Sequence, residues 1–335
     1  MVGPRLPWTV VMPVPLSPMG TPARELRTVA VQPVDNQAVA DARRVADAIR
    51  RRVLAHVIAN QGGYLSQACS SAEILATLYT AVLRLGPSEG PAQPEPFAGV
   101  PNADRPTRSG SRYNGAHAPD LDRFFFSPVH YALVLYAALI EVGRLGPDAL
   151  DTFNQDGSTV ELIGAEHSPG METMAGSLAQ CLSQAGGVAL ARRMKGHSGR
   201  TWVFLSDGEC QEGQIWEAFQ ALAFHQLDHV AVVIDANGFQ CDGPMTGVMG
   251  IEPLGARLQA FGARVVEIDG HDPQALIDAA QLPFDGRPLA VVCRTDPCHG
   301  IELLRQRAPK LHYVRLQNAT EEAQYQQVLS QWEAQ

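Results

Sequence analysis

The sequence lacks clustered positive charge and has no long hydrophobic run. Its 335 residues include 26 Lys and Arg against 35 Asp and Glu, so the formal net charge is −9. A surface of this kind disfavours nucleic acid and anionic membranes as partners. No stretch approaches the ~18 consecutive apolar residues that a membrane-spanning helix needs. We therefore expect binding to neither nucleic acid nor membrane.

Paired metal-binding or disulfide-forming cysteines are also missing. The 6 cysteines are scattered without Cys-x-x-Cys or zinc-type spacing. This pattern favours reduced, mostly buried thiols and a cytoplasmic location over a disulfide framework. A Gly-x-Gly-x-x-Gly fingerprint after a strand is absent as well, which weakens a nicotinamide-dinucleotide interpretation.

The remaining composition, 45% hydrophobic and 18% charged, is typical of a globular protein with a large core. Residues 1–34 are rich in proline and lack the apolar core of a signal peptide, so they are predicted to form an N-terminal arm. Residues 35–335 are predicted to form one domain. An aperiodic insertion at residues 87–119 interrupts it and is either functional or disordered.

Hydrophobic periodicity predicts alternating strands and helices after the insertion. Continuous apolar runs predict buried parallel strands at residues 201–206, 230–234, 263–268 and 289–295. Amphipathic patterns predict helices at residues 36–59, 71–85, 213–226, 254–261 and 273–280, and a small-residue helix begins near Ser177. The alternation indicates an α/β fold, a parallel β-sheet flanked by helices.

Two polar turns follow consecutive predicted strands in the stretch VFLSDGECQEGQIWEAFQALAFHQLDHVAVVIDANGFQCDG. Asp207 comes directly after the first strand, and Asn237 follows the second by a few residues. If these strands are neighbours, both side chains reach one edge of the sheet, where parallel sheets bind ligands. A carboxylate and an amide oxygen suit Mg²⁺, which keeps phosphate oxygens and water as further ligands. The alternative is that Asp-Gly and Asn-Gly are only turns.

This stretch resembles the thiamine diphosphate motif, and residues 38–300 are similar to the N-terminal half of transketolases. The matching segments occur in family order: SSAEILATLY, DRFFFSPVHYALVLYAAL, PGMETMAGSLAQCLSQAGGVAL, SDGECQEGQIWEAF and IEPLGARLQAFGARVVEIDGHD. The resemblance implies the thiamine diphosphate-binding fold of the diphosphate-binding type. It implies thiamine diphosphate and Mg²⁺ as cofactors, with Ca²⁺ or Mn²⁺ as substitutes for the metal.

The resemblance also implies roles for individual residues. The magnesium ligands would be Asp207, the Asn237 side chain and the backbone carbonyl of Phe239. Glu212 would be a catalytic residue at the subunit interface, hydrogen-bonding toward the glutamate of a partner chain. The residues expected at the cofactor are His130, Gly176, Ser177, Leu178, Asp207, Gly208, Glu209, Asp235 and Asn237, of which His130 is also expected to be catalytic.

The histidines depart from the family pattern. The Gly-His that normally ends the first helix is replaced around Asn60 and Gln61. We expect His167 to substitute for a lost catalytic histidine. His299 or His312 is a further candidate for proton transfer near the substrate.

The resemblance stops before the two further domains of a complete transketolase. The chain is therefore expected to be the N-terminal subunit of a split transketolase, active only with a separate C-terminal subunit in an α2β2 assembly. The enzyme would transfer a two-carbon ketol unit from a ketose to an aldehyde, acting on sugars or modified sugars. Residues 87–119 lie where they could reshape the substrate mouth, and whether they contact the substrate is left open. The alternatives are the Mg-diphosphate-binding subunit of a thiamine-dependent 2-oxo acid decarboxylase or dehydrogenase, and a non-catalytic relative.

Overall fold

The structure is a computed structural model that describes residues 36–104, 106 and 109–334. The predicted N-terminal arm, residues 1–34, lies outside these residues, as do Arg105 and Arg108 of the insertion. The described residues fall within one unit, Val34–Gln335. None of their helices combines the length and the apolar composition that crossing a membrane requires.

A five-stranded parallel sheet forms the centre of the described fold, in the order β2-β3-β4-β8-β7. Two short antiparallel pairs, β1 with β9 and β5 with β6, lie outside it. The strands are β1 (Gly62–Gly63), β2 (Arg123–Phe126), β3 (Thr201–Ser206), β4 (Val230–Ala236), β5 (Phe239–Gln240), β6 (Gly243–Pro244), β7 (Arg264–Asp269), β8 (Leu289–Arg294) and β9 (Val314–Arg315). The predicted α/β fold with a parallel sheet is confirmed.

The central strands read as continuous apolar runs because the sheet is covered on both faces. Every residue of β3 and β4 is buried, and so are the first five of β8. The predicted bounds of β3 are correct at both ends, and those of β4, β7 and β8 are correct within two residues. Burial on both faces made β3, β4 and β8 easy to locate from local sequence, whereas β7, predicted to be buried, is a partly exposed edge strand.

The helices bracket this sheet and pack on one another. In chain order they are α1 (Asn36–Ala59), α2 (Leu65–Thr77), α3 (Ala132–Glu141), α4 (Gln180–Met194), α5 (Gly213–Phe224), α6 (Met245–Val248), α7 (Leu254–Ala260), α8 (Pro273–Ala280) and α9 (Ala319–Glu333). α1 packs against α2 and α3. Its apolar stripe, which includes Val45, Ile49, Val53 and Val57, is buried as predicted.

Two helix starts differ from the prediction. α2 begins at Leu65, six residues earlier than expected, and gives way to a π-helical turn after Thr77. All of α2 is buried, its polar residues included, so its first turns show no contrast between an apolar side and a solvent-facing side that would mark the start. α4 begins only at Gln180, because Ala179 before it has a left-handed backbone with φ of 70°.

Candidate functional site

The loops after β3 and β4 meet at one edge of the sheet. The two strands are parallel neighbours, and their register pairs Ser206 with Asp235. The loops are joined directly, because the backbone N–H of Gly238 donates a hydrogen bond of 2.7 Å to Oδ2 of Asp207. The structure therefore brings Asp207 and Asn237 to the same edge, where an open parallel sheet binds its ligands.

Asp207 is a buried carboxylate that lacks a counter-charge. It is 3% exposed, and its Oδ1 is buried without a hydrogen-bond partner among the described residues. Burial, and then the nearby Asp235, raise the pKa of Asp207 to about 8, although backbone N–H groups of Gly238 and Gly208 oppose the shift. Neither aspartate forms an ion pair within the described chain. Two buried acids and one unused oxygen suit a divalent cation.

Asp235 lies beneath this edge and orients its neighbours. It is fully buried, and burial raises its pKa. Oδ2 accepts hydrogen bonds from Ser70 Oγ at 2.6 Å, Asn237 Nδ2 at 3.1 Å and Tyr131 Oη at 3.2 Å, and Oδ1 accepts one from Thr295 Oγ1 at 2.5 Å. Asp235 is thus a framework residue that directs the Asn237 amide rather than a group that lines the cavity.

The Asn237 amide is held with its oxygen away from Asp235. Its Nδ2 also donates to Tyr131 Oη at 3.0 Å, and its Oδ1 accepts the N–H of Phe239 at 2.9 Å. An amide oxygen has two lone pairs, so one remains for a metal. Gly208 lies beside this pair, and a Cβ there would come within 3.3 Å of Gln240 Cβ. The oxygens of Asp207 and Asn237, with the main chain open to a ligand at Gly208, therefore fit Mg²⁺ bound to a diphosphate. Coordination by the backbone carbonyl of Phe239 stays a prediction.

A cavity of about 340 Å³ opens above these loops. The predicted site residues that line it are His130, Leu178, Gly208, Glu212, Asn237 and Phe239. Gly176 and Ser177 precede Leu178, and Gly176 has open space where a Cβ would stand. Leu178 is 37% exposed although it is a large apolar side chain. Six of the predicted residues therefore share one surface, and their individual roles remain predictions.

Glu209 was expected at the cofactor but faces the interior. It is 0% exposed, and its carboxylate accepts hydrogen bonds from the backbone N–H groups of Ala179 at 3.1 Å and Ser206 at 3.0 Å. The Ser127 hydroxyl donates to the same carboxylate. Burial raises its pKa, and these donors lower it. Glu209 ties β2, β3 and the start of α4 together, so its contribution to the site is structural.

Glu212 differs from Glu209 because it is exposed at the start of α5. It lines the cavity mouth, and its side chain caps no helix N–H. An exposed carboxylate in this position is compatible with contact to another chain, as the resemblance implies, and that role stays a prediction.

Two histidines and a tyrosine that lie far apart in sequence meet over the cavity. The ring centroids of His130 and His312 are 5.0 Å apart, and Tyr64 lies 5.7 Å from His130 and 5.4 Å from His312. Burial, together with His312, lowers the pKa of His130 to about 3, so His130 is neutral at physiological pH. Of the two further candidates for proton transfer, His312 lines this cavity and His299 does not.

Sequence reasoning missed Tyr64 and Gln67, which line or border the cavity at the start of α2. It placed the substituted family histidine around Asn60 and Gln61, at the end of α1. The local signal for these two residues is the Gly-Gly before Tyr64, because both glycines form β1, which pairs with β9 close to His312.

His167 and the insertion lie at a different cavity, of about 270 Å³. The His167 ring is 4.7 Å from Phe97 of the insertion, and its Nε2 is 3.1 Å from a Glu161 carboxylate oxygen. The structure does not bring His167 to the cavity of His130. The described residues of 87–119 that line a cavity, Phe97 and Arg112 among them, line this second one, and none of them lines the cavity of His130.

Glu73, His271 and His299 form a cluster whose ligand-type atoms lie within 4.8 Å of one another. His271 Nε2 accepts the backbone N–H of Asp296 at 2.9 Å, so its proton is on Nδ1, which donates to Glu73 at 3.1 Å. Arg50 binds the other Glu73 oxygen at 2.6 Å. The missing lone pair on Nδ1 and the adjacent guanidinium both oppose a metal. The cluster is a hydrogen-bonded network around the Arg50–Glu73 ion pair, and it joins α1 and α2 to the loops after β7 and β8.

Known proteins resemble this chain in sequence. The profile of the family described as transketolase, thiamine diphosphate binding domain, matches residues 111–307. A putative uncharacterized transketolase family protein of Sinorhizobium fredii is 35% identical over 273 residues, which cover 80% of this chain and 88% of that protein. The 6-deoxy-6-sulfo-D-fructose transketolase subunit SqwG of a Clostridium species is 30% identical, covering 76% of this chain and 84% of SqwG.

Solved structures resemble the chain in fold. The crystal structure of transketolase from Campylobacter jejuni superposes with a TM-score of 0.66 at 19% sequence identity. The match covers 90% of this chain and 48% of that one, so this chain spans about half of the length of the solved enzyme. This likeness shows the fold.

Proposed function

We propose that this chain, which belongs to the transketolase family and matches the family's thiamine diphosphate-binding domain, is the N-terminal subunit of a two-chain transketolase. The enzyme transfers a two-carbon ketol unit from a ketose to an aldehyde acceptor. The observation that carries the proposal is the meeting of Asp207 and Asn237 at one sheet edge, below the cavity that His130 lines.

Asp207, Asn237 and Phe239 would hold Mg²⁺, or Ca²⁺ or Mn²⁺ in its place. The support is the unused buried oxygen of Asp207 and the oriented amide of Asn237. Gly208 would let the diphosphate approach the main chain. When bound, thiamine diphosphate supplies the carbanion chemistry that breaks and forms the carbon–carbon bond. The protein holds the diphosphate end of the cofactor, and Leu178 would lie against its ring.

His130 and His312 would act on the sugar. Neutral imidazoles within hydrogen-bond reach of hydroxyl and carbonyl oxygens orient a substrate and transfer protons to or from it. The two rings lie 5.0 Å apart at the cavity, and burial keeps both pKa values below the usual range.

A separate C-terminal subunit would complete the active site in an α2β2 assembly. Exposed Glu212 at the cavity mouth would hydrogen-bond toward a carboxyl group of that subunit. The relative SqwG carries the word subunit in its name, which supports a two-chain enzyme. We place the enzyme in the cytoplasm, in agreement with six cysteines that all lie in the described chain and form no disulfide there.

The substrates would be sugars or modified sugars, as the name of SqwG suggests for that protein. In the described chain, the cavity lining contains no lysine or arginine. This subunit would therefore contact the reacting, uncharged end of the sugar. A phosphate or another anionic group at the far end would be bound by the partner subunit.

Thermal unfolding of the reconstituted two-chain complex tests the cofactor site. Mg²⁺ with thiamine diphosphate should raise the melting temperature by about 5 °C at saturating concentration, and Asp207→Asn should abolish the increase. Asp148→Asn, an exposed aspartate on the loop after α3, is the matched control and should keep it. Without cofactor above pH 8, Asp207→Asn should be at least as stable as wild type, because it removes an ionised carboxylate from a buried site.

A ketol-transfer assay with a panel of ketose donors and aldehyde acceptors tests the reaction. Activity should require both chains and be lost on metal chelation. An Asp207→Asn complex that keeps the full cofactor-induced stabilisation would rule out the metal assignment. Turnover of pyruvate without ketol transfer would instead identify a decarboxylase subunit.

A further inference from the structure

The segment that carries His312 is fastened to the start of α2. Ser66 Oγ donates to the backbone carbonyl of Leu311 at 2.7 Å, and Gln67 Nε2 donates to the carbonyl of His312 at 2.9 Å. Next to these bonds, β1 pairs with β9 through Gly63 and Val314. The backbone on both sides of His312 is therefore held, and both Gln67 and His312 line the cavity.

The side-chain amide of Gln67 also faces the His312 ring. The carbonyl of His312 can only accept a hydrogen bond, so the Gln67 group that faces it at 2.9 Å must be the nitrogen, Nε2. The same Nε2 lies 3.4 Å from Nδ1 of the His312 ring. An amide nitrogen donates and has no lone pair to offer. A proton on Nδ1 would face the amide N–H, so the contact favours Nδ1 as the unprotonated acceptor, which places the proton of the neutral ring on Nε2.

The contacts of the His312 ring leave its Nε2 available to a molecule in the cavity. None of the described residues hydrogen-bonds Nε2 of His312. The neighbouring rings, Tyr64 at 5.4 Å and an interplanar angle of 84° and His130 at 5.0 Å and 39°, pack against the imidazole. Aromatic rings thus pack around the His312 imidazole, and its Nε2–H can donate a hydrogen bond to a molecule in the cavity.

We propose that Gln67 is a positioning residue that fixes the tautomer and the orientation of His312. Held in this way, His312 presents Nε2–H as a hydrogen-bond donor to an oxygen of the bound sugar, with the carbonyl oxygen of the ketose or aldehyde as the acceptor. For the identity of that substrate the inference rests on the proposed function. The tautomer itself follows from the contacts of Gln67 and not from the identity of the substrate; burial lowers the pKa of His312, and the charge of Asp242 opposes that shift.

The tautomer is measured by ¹⁵N NMR of the full-length chain labelled in its histidine side chains, with the His312 signals assigned by their loss in His312→Asn. Wild type should show a protonated Nε2 and an unprotonated Nδ1. Gln67→Glu replaces the donating amide with an accepting carboxylate of the same shape. In this variant His312 should carry its proton on Nδ1, or on both nitrogens.

Gln211→Glu is the matched control, because Gln211 lines the same cavity but donates its amide to the carbonyl of Met249 at 2.7 Å. It should leave the His312 signals in the wild-type pattern. A wild-type chain with the proton on Nδ1 would overturn the proposal. The same conclusion follows if Gln67→Glu leaves the ring nitrogens unchanged.

Kinetics of the complex reconstituted with the partner subunit test the consequence. Gln67→Glu should lower kcat by about 10- to 100-fold with a smaller change in KM, and it should move a limb of the pH profile of kcat. Unchanged kcat and pH profile in an active complex would overturn the positioning role. Absence of ketol transfer in wild type would overturn the proposed function, whereas the NMR comparison decides the Gln67 assignment in either case.

Discussion

At the scale of single residues, burial sets the charge of the site. His130 and His312 stay neutral because the surrounding rings and main chain exclude water. Asp207 and Asp235 are buried acids without an ion-pair partner in the described chain. Neutral bases above the loops, and two buried acids between them that lack a counter-charge, favour a divalent cation with a diphosphate and an uncharged reacting group of a sugar.

His56 on α1, away from the site, allows the effect of burial on a histidine pKa to be measured. Its ring packs edge-on against Phe153 at 4.6 Å, and burial lowers its pKa from 6.5 to about 4. The folded state keeps His56 neutral, whereas the unfolded state takes up a proton below pH 6.5. The free energy of unfolding should therefore fall as pH drops from about 6.5 to about 4, and His56 should contribute on the order of 1–2 kcal/mol of that loss.

Urea unfolding at pH 7 and pH 5 checks this expectation. His56→Phe keeps the ring contact and removes the titrating group, so its free energy of unfolding should depend less on pH than that of wild type. His225→Gln, at an exposed position after α5, should keep the wild-type dependence. An equal pH dependence in His56→Phe and wild type would contradict the prediction.

At the scale of elements, the insertion is integrated into the fold by backbone hydrogen bonds. The N–H of Phe97 donates to the carbonyl of Gly157 at 2.8 Å, and the N–H of Gly146 donates to the carbonyl of Ala92 at 2.7 Å. The N–H of Gly110 donates to the carbonyl of Glu166 at 2.7 Å. These bonds place the described part of the insertion on the segment between α3 and α4 and account for a second cavity there.

Gly110 is the tightest of these junctions. A Cβ at this position would lie 1.7 Å from the backbone oxygen of Ser168, so Gly110→Ala must push the two segments apart. We expect a loss of about 2–3 kcal/mol in the free energy of unfolding. In the described structure no atom lies within 4 Å of a Cβ at Gly187 of α4, so Gly187→Ala should gain about 0.5–1 kcal/mol.

Urea denaturation of the two variants gives both values. The pair of glycine-to-alanine changes separates steric crowding from backbone entropy, because only Gly110 has a close neighbour. A Gly110→Ala variant as stable as wild type would show that the insertion does not pack on residues 166–170 in solution.

At the scale of the whole molecule, the cavity mouth has the character of a surface that another chain covers. Leu178 is 37% exposed there. Met249 is 51% exposed and lies near the mouth, because its backbone carbonyl accepts a hydrogen bond from the side-chain amide of Gln211. Exposed apolar side chains beside a functional cavity are typical of an interface. This is the surface on which the proposed C-terminal subunit would complete the site.

Native mass spectrometry of the co-expressed chains tests this arrangement. We expect two copies of each chain, and Met249→Asp should weaken the assembly by at least tenfold, because it puts a charge into an apolar contact. Met194→Asp, at an 81% exposed position near the end of α4, is the matched control and should assemble normally. Equal assembly of Met249→Asp and wild type would place the interface elsewhere.

Local sequence was sufficient to locate the parallel strands β3, β4, β7 and β8 and to predict that Asp207 and Asn237 lie at one edge of the sheet. β3 and β4 are continuous apolar runs because both of their faces are buried, and a polar residue directly after such a run must lie at the edge of the sheet. Asp207 and Asn237 are separated by one strand–helix–strand step, which is short and right-handed in folds of this class. Their proximity therefore followed from sequence once the strands were located.

Only the tertiary structure decided which histidines line the cavity. Gln67 and His312 are 245 residues apart and meet because β1 pairs with β9, a contact that no local pattern reports. His167 is near in sequence to the site loops, yet packing against Phe97 of the insertion places it at another cavity. The sequence by itself determined the sheet and its cofactor edge through local burial patterns. The side of the cavity lined by Gln67, His130 and His312 was decided by long-range pairing, because these residues come from distant segments.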